Sequence, residues 1–107
     1  MGIKKKEVKM DLQVHSLHFN ADRKLIDFVN SKVGKLNQFH NQIVSGNVTL
    51  RLDKDSISGN KVAEIKLNIP GKELFAKKQC KSFEEATDLA CEALRRQVKR
   101  HKEKNHA

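Results

Sequence analysis

A chain of 107 residues with 22 lysines and arginines against 13 aspartates and glutamates carries a formal charge of +9 at pH 7. That length allows one domain with a single two-layer core, and it excludes a large multi-step enzyme with a deep substrate cleft. Apolar residues make up 37% of the chain, with five glycines and one proline, so most of it is expected to fold, and collagenous or low-complexity classes drop out. No apolar run approaches the roughly 20 residues of a membrane span. Met1 to Lys9 is basic without a following apolar stretch, so it is not a secretory signal; a cytoplasmic protein with no membrane partner is expected.

Residues 8 to 15 alternate, with Val8, Met10, Leu12 and Val14 on one face and Lys9, Asp11, Gln13 and His15 on the other, which predicts a half-buried strand. Phe19 and Asn20 lie in a loop, and Asp22 is placed to cap a helix. Leu25, Ile26, Val29, Val33 and Leu36 recur at helical spacing up to about Phe39. Gly34 inside that stripe costs roughly 1 kcal/mol relative to alanine without ending it. Val48, Leu50 and Leu52 then alternate with polar neighbours, as do Ala63, Ile65, Leu67 and Ile69. These two predicted strands flank a polar loop, Lys54 to Asn60, too long for a two-residue hairpin and expected to be mobile. Pro70-Gly71-Lys72 supplies a turn, and Glu73 to Gln79 a fourth strand with Leu74 and Ala76 inward. Ser82 followed by Glu85 reads as a capping box, and Phe83, Ala86, Ala90, Leu94 and Val98 form the buried stripe of a helix running to about Lys102.

The predicted fold is therefore α+β: a βαβββα two-layer arrangement with two helices on one face of a four-stranded sheet and the other face open to solvent. A single domain is expected over residues 8–102. Residues 1–9 form a basic extension, part of the first strand or disordered, and 103–107 a frayed tail.

Few residues suggest catalysis. Cys80 and Cys91 lack a Cys-x-x-Cys spacing and read as reduced, half-buried thiols. His15-x-x-His18 has no acidic or cysteine partner at metal-ligand spacing, so no metal or other cofactor is expected. No nucleophile stands with a base and an orienting group, and no glycine-rich phosphate loop occurs. The chain is not expected to be an enzyme.

Charge distribution is more informative. Residues 82–94 contain Glu84, Glu85, Asp88 and Glu92 and no base, whereas 95–104 contain Arg95, Arg96, Lys99, Arg100, Lys102 and Lys104 against Glu103. Complementing the helix dipole accounts for two or three of these bases, not six. Arg95, Lys99 and Lys102 fall on one helical face with Arg96 and Arg100 beside them, which predicts a cationic ridge. Lys72, Lys77, Lys78 and Lys81, from the strand that feeds this helix, are expected to enlarge it, with further charge from Arg23, Lys24, Lys32 and Lys35 on the first helix. The expected partner is a polyanion. With no Trp or Tyr, and only Phe75 placed to face outward from the sheet, base stacking on a sheet is disfavoured, and there is no Gly-x-x-Gly loop for a KH-type clamp. Structured RNA, recognised by shape and phosphate, fits best; docking of an acidic protein partner and general structured-RNA binding are the alternatives.

From Met10 almost to its end the chain resembles the short bacterial ribosome hibernation-promoting factors, also called ribosome-associated inhibitors or sigma-54 modulation proteins. The matching stretches are Leu25 to Phe39 with Gly34-Lys35-Leu36, Pro70-Gly71-x-x-Leu74-x-Ala76, Ala86-x-Asp88 and, most specifically, Leu94-x-Arg96-Gln97-Val98-Lys99-Arg100-His101-Lys102. The resemblance implies a double-stranded-RNA-binding-like fold seated in the tRNA and mRNA channel of the small ribosomal subunit, competing with both and blocking translation in resting cells. Carried over by position, ribosomal-RNA contacts come from Arg96, Lys99, Arg100 and Lys102, with Lys35. Adding the charge pattern, the expected RNA-binding set is Lys35, Lys77, Lys78, Lys81, Arg95, Arg96, Lys99, Arg100 and Lys102. The chain departs from the family pattern at Thr87, where isoleucine is common, at Ala93, where lysine is common, and at Glu84, near an often aromatic position. Long forms carry a second domain that joins two ribosomes; the chain ends at Ala107, so it is expected to silence single ribosomes or to need a separate dimerising factor.

Overall fold

The computed structural model describes residues 10–38, 43–54, 57 and 59–105. The expectations for residues 1–9, Phe39, Asp55, Ser56, Ser58 and 106–107 lie outside these. The elements are β1 (Asp11–Leu17), α1 (Arg23–Gly34) continued by a 3-10 turn (Lys35–Gln38), β2 (Ser45–Leu52), β3 (Lys61–Ile69), β4 (Lys72–Cys80) and α2 (Phe83–Asn105). The predicted βαβββα order is the observed one, with α2 three residues longer than expected.

Local chemistry sets the boundaries. The Asp22 carboxylate accepts the Leu25 N–H at 2.9 Å and starts α1, while the Ser82 hydroxyl accepts the Glu85 N–H at 3.1 Å and starts α2, each satisfying an otherwise orphaned donor. At Gly34 the α-helix gives way to the tighter 3-10 turn, where Lys35 N–H reaches the carbonyls of Ser31 and Val33, so the apolar stripe continues to Leu36 through a change of helix type. Pro70 and Gly71 alone turn β3 into β4, with Ile69 opposite Lys72; Gly71 supplies the positive φ of 78° that such a turn needs. The expected mobile loop after β2 has a fixed base. Asp53 N–H donates to the Asn60 carbonyl, and the Gln79 amide donates to the Gly59 carbonyl at 2.7 Å. Gly59 lies at φ 109° against the Cys80 carbonyl, where a Cβ would collide with backbone, so no other residue fits there without strain.

The strand order is β1-β2-β3-β4. β1 pairs in parallel with β2, which requires the crossover that α1 provides, while β2, β3 and β4 pair antiparallel. Both helices cover the same sheet face, α1 against β1 and α2 against β3 and β4, and they touch each other. Leu25, Val29, Val33, Val48, Leu50, Ile65, Leu67, Leu94 and Val98 form the centre of the core between the layers. Each helix returns antiparallel to the strand before it, so α1 and α2 point the same way. Phe19 stacks on Phe83 at 4.7 Å near their starts. Their C-terminal ends both point toward the end of the sheet where β1, β2 and β4 begin.

Buried residues that escaped the sequence pattern include Val62 and Thr87. Val62 is fully buried although its register puts it on the open face, flanked by Arg51 and Gln79. Thr87 is fully buried at the α2 interface, and its hydroxyl has no hydrogen-bond partner. Removing such an orphan while keeping the shape should raise stability by about 1 kcal/mol, so Thr87→Val is expected to melt several degrees higher, roughly 4–8 °C for a domain of this size. A thermal melt followed by circular dichroism reads it directly.

Cys91, facing inward on α2, is more deeply buried than expected, and so is Cys80. Burial first, and then the Asp88 carboxylate, push the Cys91 thiol up to about 12; burial also raises Cys80. In the unfolded chain such thiols ionise near pH 9, while the folded protein keeps them protonated to higher pH, so their stabilisation is complete below about pH 9 and drains away as pH rises, for Cys91 up to about pH 12. For Cys91 the loss should reach about 2–4 kcal/mol. Lys32, raised by its hydrogen bond to Asp88, loses its contribution in the same direction above pH 10.5. Urea midpoints at pH 8 and pH 11 should therefore converge for Cys91→Ala relative to the parent chain; an unchanged gap would refute the assignment.

Candidate nucleic-acid interface

The two faces of the molecule differ in charge. In register across the open sheet face stand Asp11, Gln13, His15 and Leu17 of β1, Ser45, Asn47, Thr49 and Arg51 of β2, Val62, Glu64, Lys66 and Asn68 of β3, and Glu73, Phe75, Lys77 and Gln79 of β4. Its cations are answered locally. Arg51 is held by Glu64 at 2.9 Å and Asp53 at 3.2 Å, Lys66 by Glu73 at 3.7 Å, and Lys77 stands opposite Glu64. Phe75, about half exposed, is the one outward aromatic of the sheet, as expected, and a single ring offers no stacking platform. This face is close to neutral in a chain of charge +9.

Among the described residues the excess of cations stands on the helix side, where α2 divides the charge along its length. Its first three turns carry Glu84, Glu85, Asp88 and Glu92; Asp88 takes Lys32 of α1 at 2.9 Å. Beyond them Arg95, Arg96, Lys99, Arg100 and Lys102 are all exposed, off the stripe of Phe83, Ala86, Ala90, Leu94 and Val98 that is buried as predicted. α1 runs alongside in the same direction, and Lys35 follows Lys32, which meets Asp88 in the acidic half of α2. Lys72 joins the basic half from β4, lining a shared cleft with Gln97, Arg100 and His101.

Three residues expected on the ridge are not brought to it. Lys77 points from the opposite sheet face, because side chains alternate along a strand. Lys78 and Lys81 are exposed, but they belong to the far end. The chain reverses through Lys81 and Ser82, so α2 runs antiparallel to β4 and about 25 Å of helix axis separates Phe83 from Arg100. Residues that feed a helix lie at its start, not its end. The same reasoning removes Arg23, which sits at the start of α1 beside Asp27 at 3.7 Å, and Lys24. Lys72, at the beginning of β4 and distant in sequence from the helix end, is the residue that antiparallel packing brings in. The signal for it was available in the order of strand and helix.

What the arrangement offers is a dense, one-sided array of cations at one end of a rigid helix, suited to phosphates at fixed spacing. Among the described residues no group of three or more histidines, cysteines or carboxylates gathers to hold a metal ion, and no helix is long and apolar enough to cross a membrane.

Residues 12–106 match the protein family described as sigma 54 modulation protein / S30EA ribosomal protein. Over 98 residues the chain is 26% identical to a Pseudomonas putida protein named ribosome hibernation promoting factor, with 92% of each chain covered. The fold is shared with a ribosomal subunit interface protein from Coxiella burnetii, at a TM-score of 0.77 and 16% identity over 87% of this chain and 98% of that one. It is shared too with the N-terminal domain of Thermus thermophilus Protein Y, at a TM-score of 0.74 and 23% identity over 86% and 99%. At these identities the two structures speak for the fold.

Proposed function

The chain belongs to the sigma 54 modulation protein / S30EA ribosomal protein family, and from that premise we propose that it is a ribosome hibernation factor. It binds the small subunit in the tRNA and mRNA channel and inhibits translation in resting cells. The observation that carries this reading is the segregation of charge: a near-neutral sheet face, and a basic helix end where Arg95, Arg96, Lys99, Arg100 and Lys102 stand with Lys72 beside them. Such a surface neutralises closely spaced phosphates of folded RNA. The name of the Pseudomonas putida relative supports the ribosome as the source of that RNA.

Sucrose-gradient sedimentation of extracts from resting cells tests it. The protein is expected to travel with ribosomes and small subunits, and saturating tRNA added to purified subunits is expected to displace it. Migration at the top of the gradient would reject ribosome association, and binding indifferent to tRNA would reject the decoding channel as its seat.

A further inference from the structure

Where β4 begins, its outer edge and the last turns of α2 border an open cleft of about 440 Å³, lined by Lys72, Glu73, Leu74, Gln97, Arg100 and His101. We propose that this cleft takes one unpaired nucleotide, its phosphate between Lys72 and Arg100 and its base against the edge of β4 beside Gln97 and His101. The proposal deepens the ribosomal reading and rests on it for the identity of the natural RNA.

Three features support this occupant. The first is charge. The register that turns Ile69 and Leu74 toward the helices turns Lys72 the same way, and Arg100 is exposed on α2. The Glu73 carboxylate alternates to the other face and is engaged by Lys66 at 3.7 Å, so the acid that lines the cleft is drawn away from an incoming anion. The second is the strand edge. β4 is outermost in the sheet, and the Phe75 carbonyl accepts the Gln97 amide at 2.9 Å, so that carbonyl faces away from β3. By the alternation of an antiparallel strand, the N–H and C=O of Glu73 face the same way. A backbone donor and acceptor side by side, with an anchored amide next to them, match the hydrogen-bonding edge of a base. The third is size. A bare phosphate would leave most of the volume empty, whereas binding clefts for organic ligands begin near 300 Å³. An opening to solvent lets an RNA chain continue on either side, while a base inside a duplex cannot reach the strand edge.

The test is an NMR titration of backbone and side-chain amides of the full chain with each ribonucleoside 5′-monophosphate and with inorganic phosphate, at matched ionic strength. At least one mononucleotide is expected to move the Glu73 to Phe75 amides and the Gln97 side-chain amide saturably, while phosphate leaves them in place. Gln97→Leu and Lys72→Ala, both changes at solvent-accessible positions, should each weaken the response at least tenfold with the rest of the spectrum preserved. A single-stranded trinucleotide that binds at least tenfold more tightly identifies RNA as the source of the nucleotide, and equal affinity identifies free nucleotide. No shift with any mononucleotide, an equal shift with phosphate, or full affinity in both variants would overturn the proposal. Because no ribosome is present, these outcomes leave ribosome association to be judged separately by sedimentation.

Discussion

Changing Arg96, Lys99 and Arg100 together to glutamate is expected to abolish co-sedimentation with ribosomes, with affinity falling at least about 10³-fold. Each lost charge-assisted contact is worth about 1.5–3 kcal/mol, and each new carboxylate repels the phosphate it replaces a partner for. The fold should survive. All three side chains are exposed, away from the buried stripe of α2, and acids near a helix C-terminus cost only about 0.3–1 kcal/mol each. A variant of equal charge change, Lys54→Glu, Lys66→Glu and Lys77→Glu, alters the loop after β2 and the open sheet face. It should retain most binding, since exposed ion pairs such as Lys66 with Glu73 contribute at most about 1 kcal/mol. Circular dichroism checks folding and gradient sedimentation checks binding. If the first variant folds and still sediments with ribosomes, the basic end of α2 is not the contact; if both variants lose binding equally, only net charge matters.

Ionic strength should act nearly as strongly. Six cations at the helix end, each displacing counterions from a phosphate, imply an affinity loss of about 10³-fold between about 50 and 200 mM monovalent salt at constant magnesium. The slope of the logarithmic plot should be shallower for the triple glutamate variant than for the parent chain. A flat response would show that the interface is not built on phosphate contacts.

The helix end was legible because helical periodicity is local: Leu94 and Val98 point inward, so Arg95, Arg96, Lys99 and Arg100 point outward whatever else the chain does. The capping residues Asp22 and Ser82 were legible for the same reason, each bonding an amide three residues away. Val62 was not, because alternation assigned it to the open face and only its position between Arg51 and Gln79 in the assembled sheet buries it.

Taken alone, the amino-acid sequence determined the order of elements, the two amphipathic helices, the one-sided polarity of the strands and the concentration of charge in α2, all of which follow from spacings within about one helical turn or two strand residues. Tertiary structure decided which cations share a surface. The parallel pairing of β1 with β2 and the reversal at Lys81 and Ser82 make α1 and α2 run together and α2 run against β4. Lys72 is thereby drawn toward Arg100 and its neighbours, while Lys78 and Lys81 are left at the acidic start of α2 and Lys77 is turned to the opposite face. Local periodicity tells which side of its own element a residue occupies; only the direction in which elements pack tells which end of another element it meets.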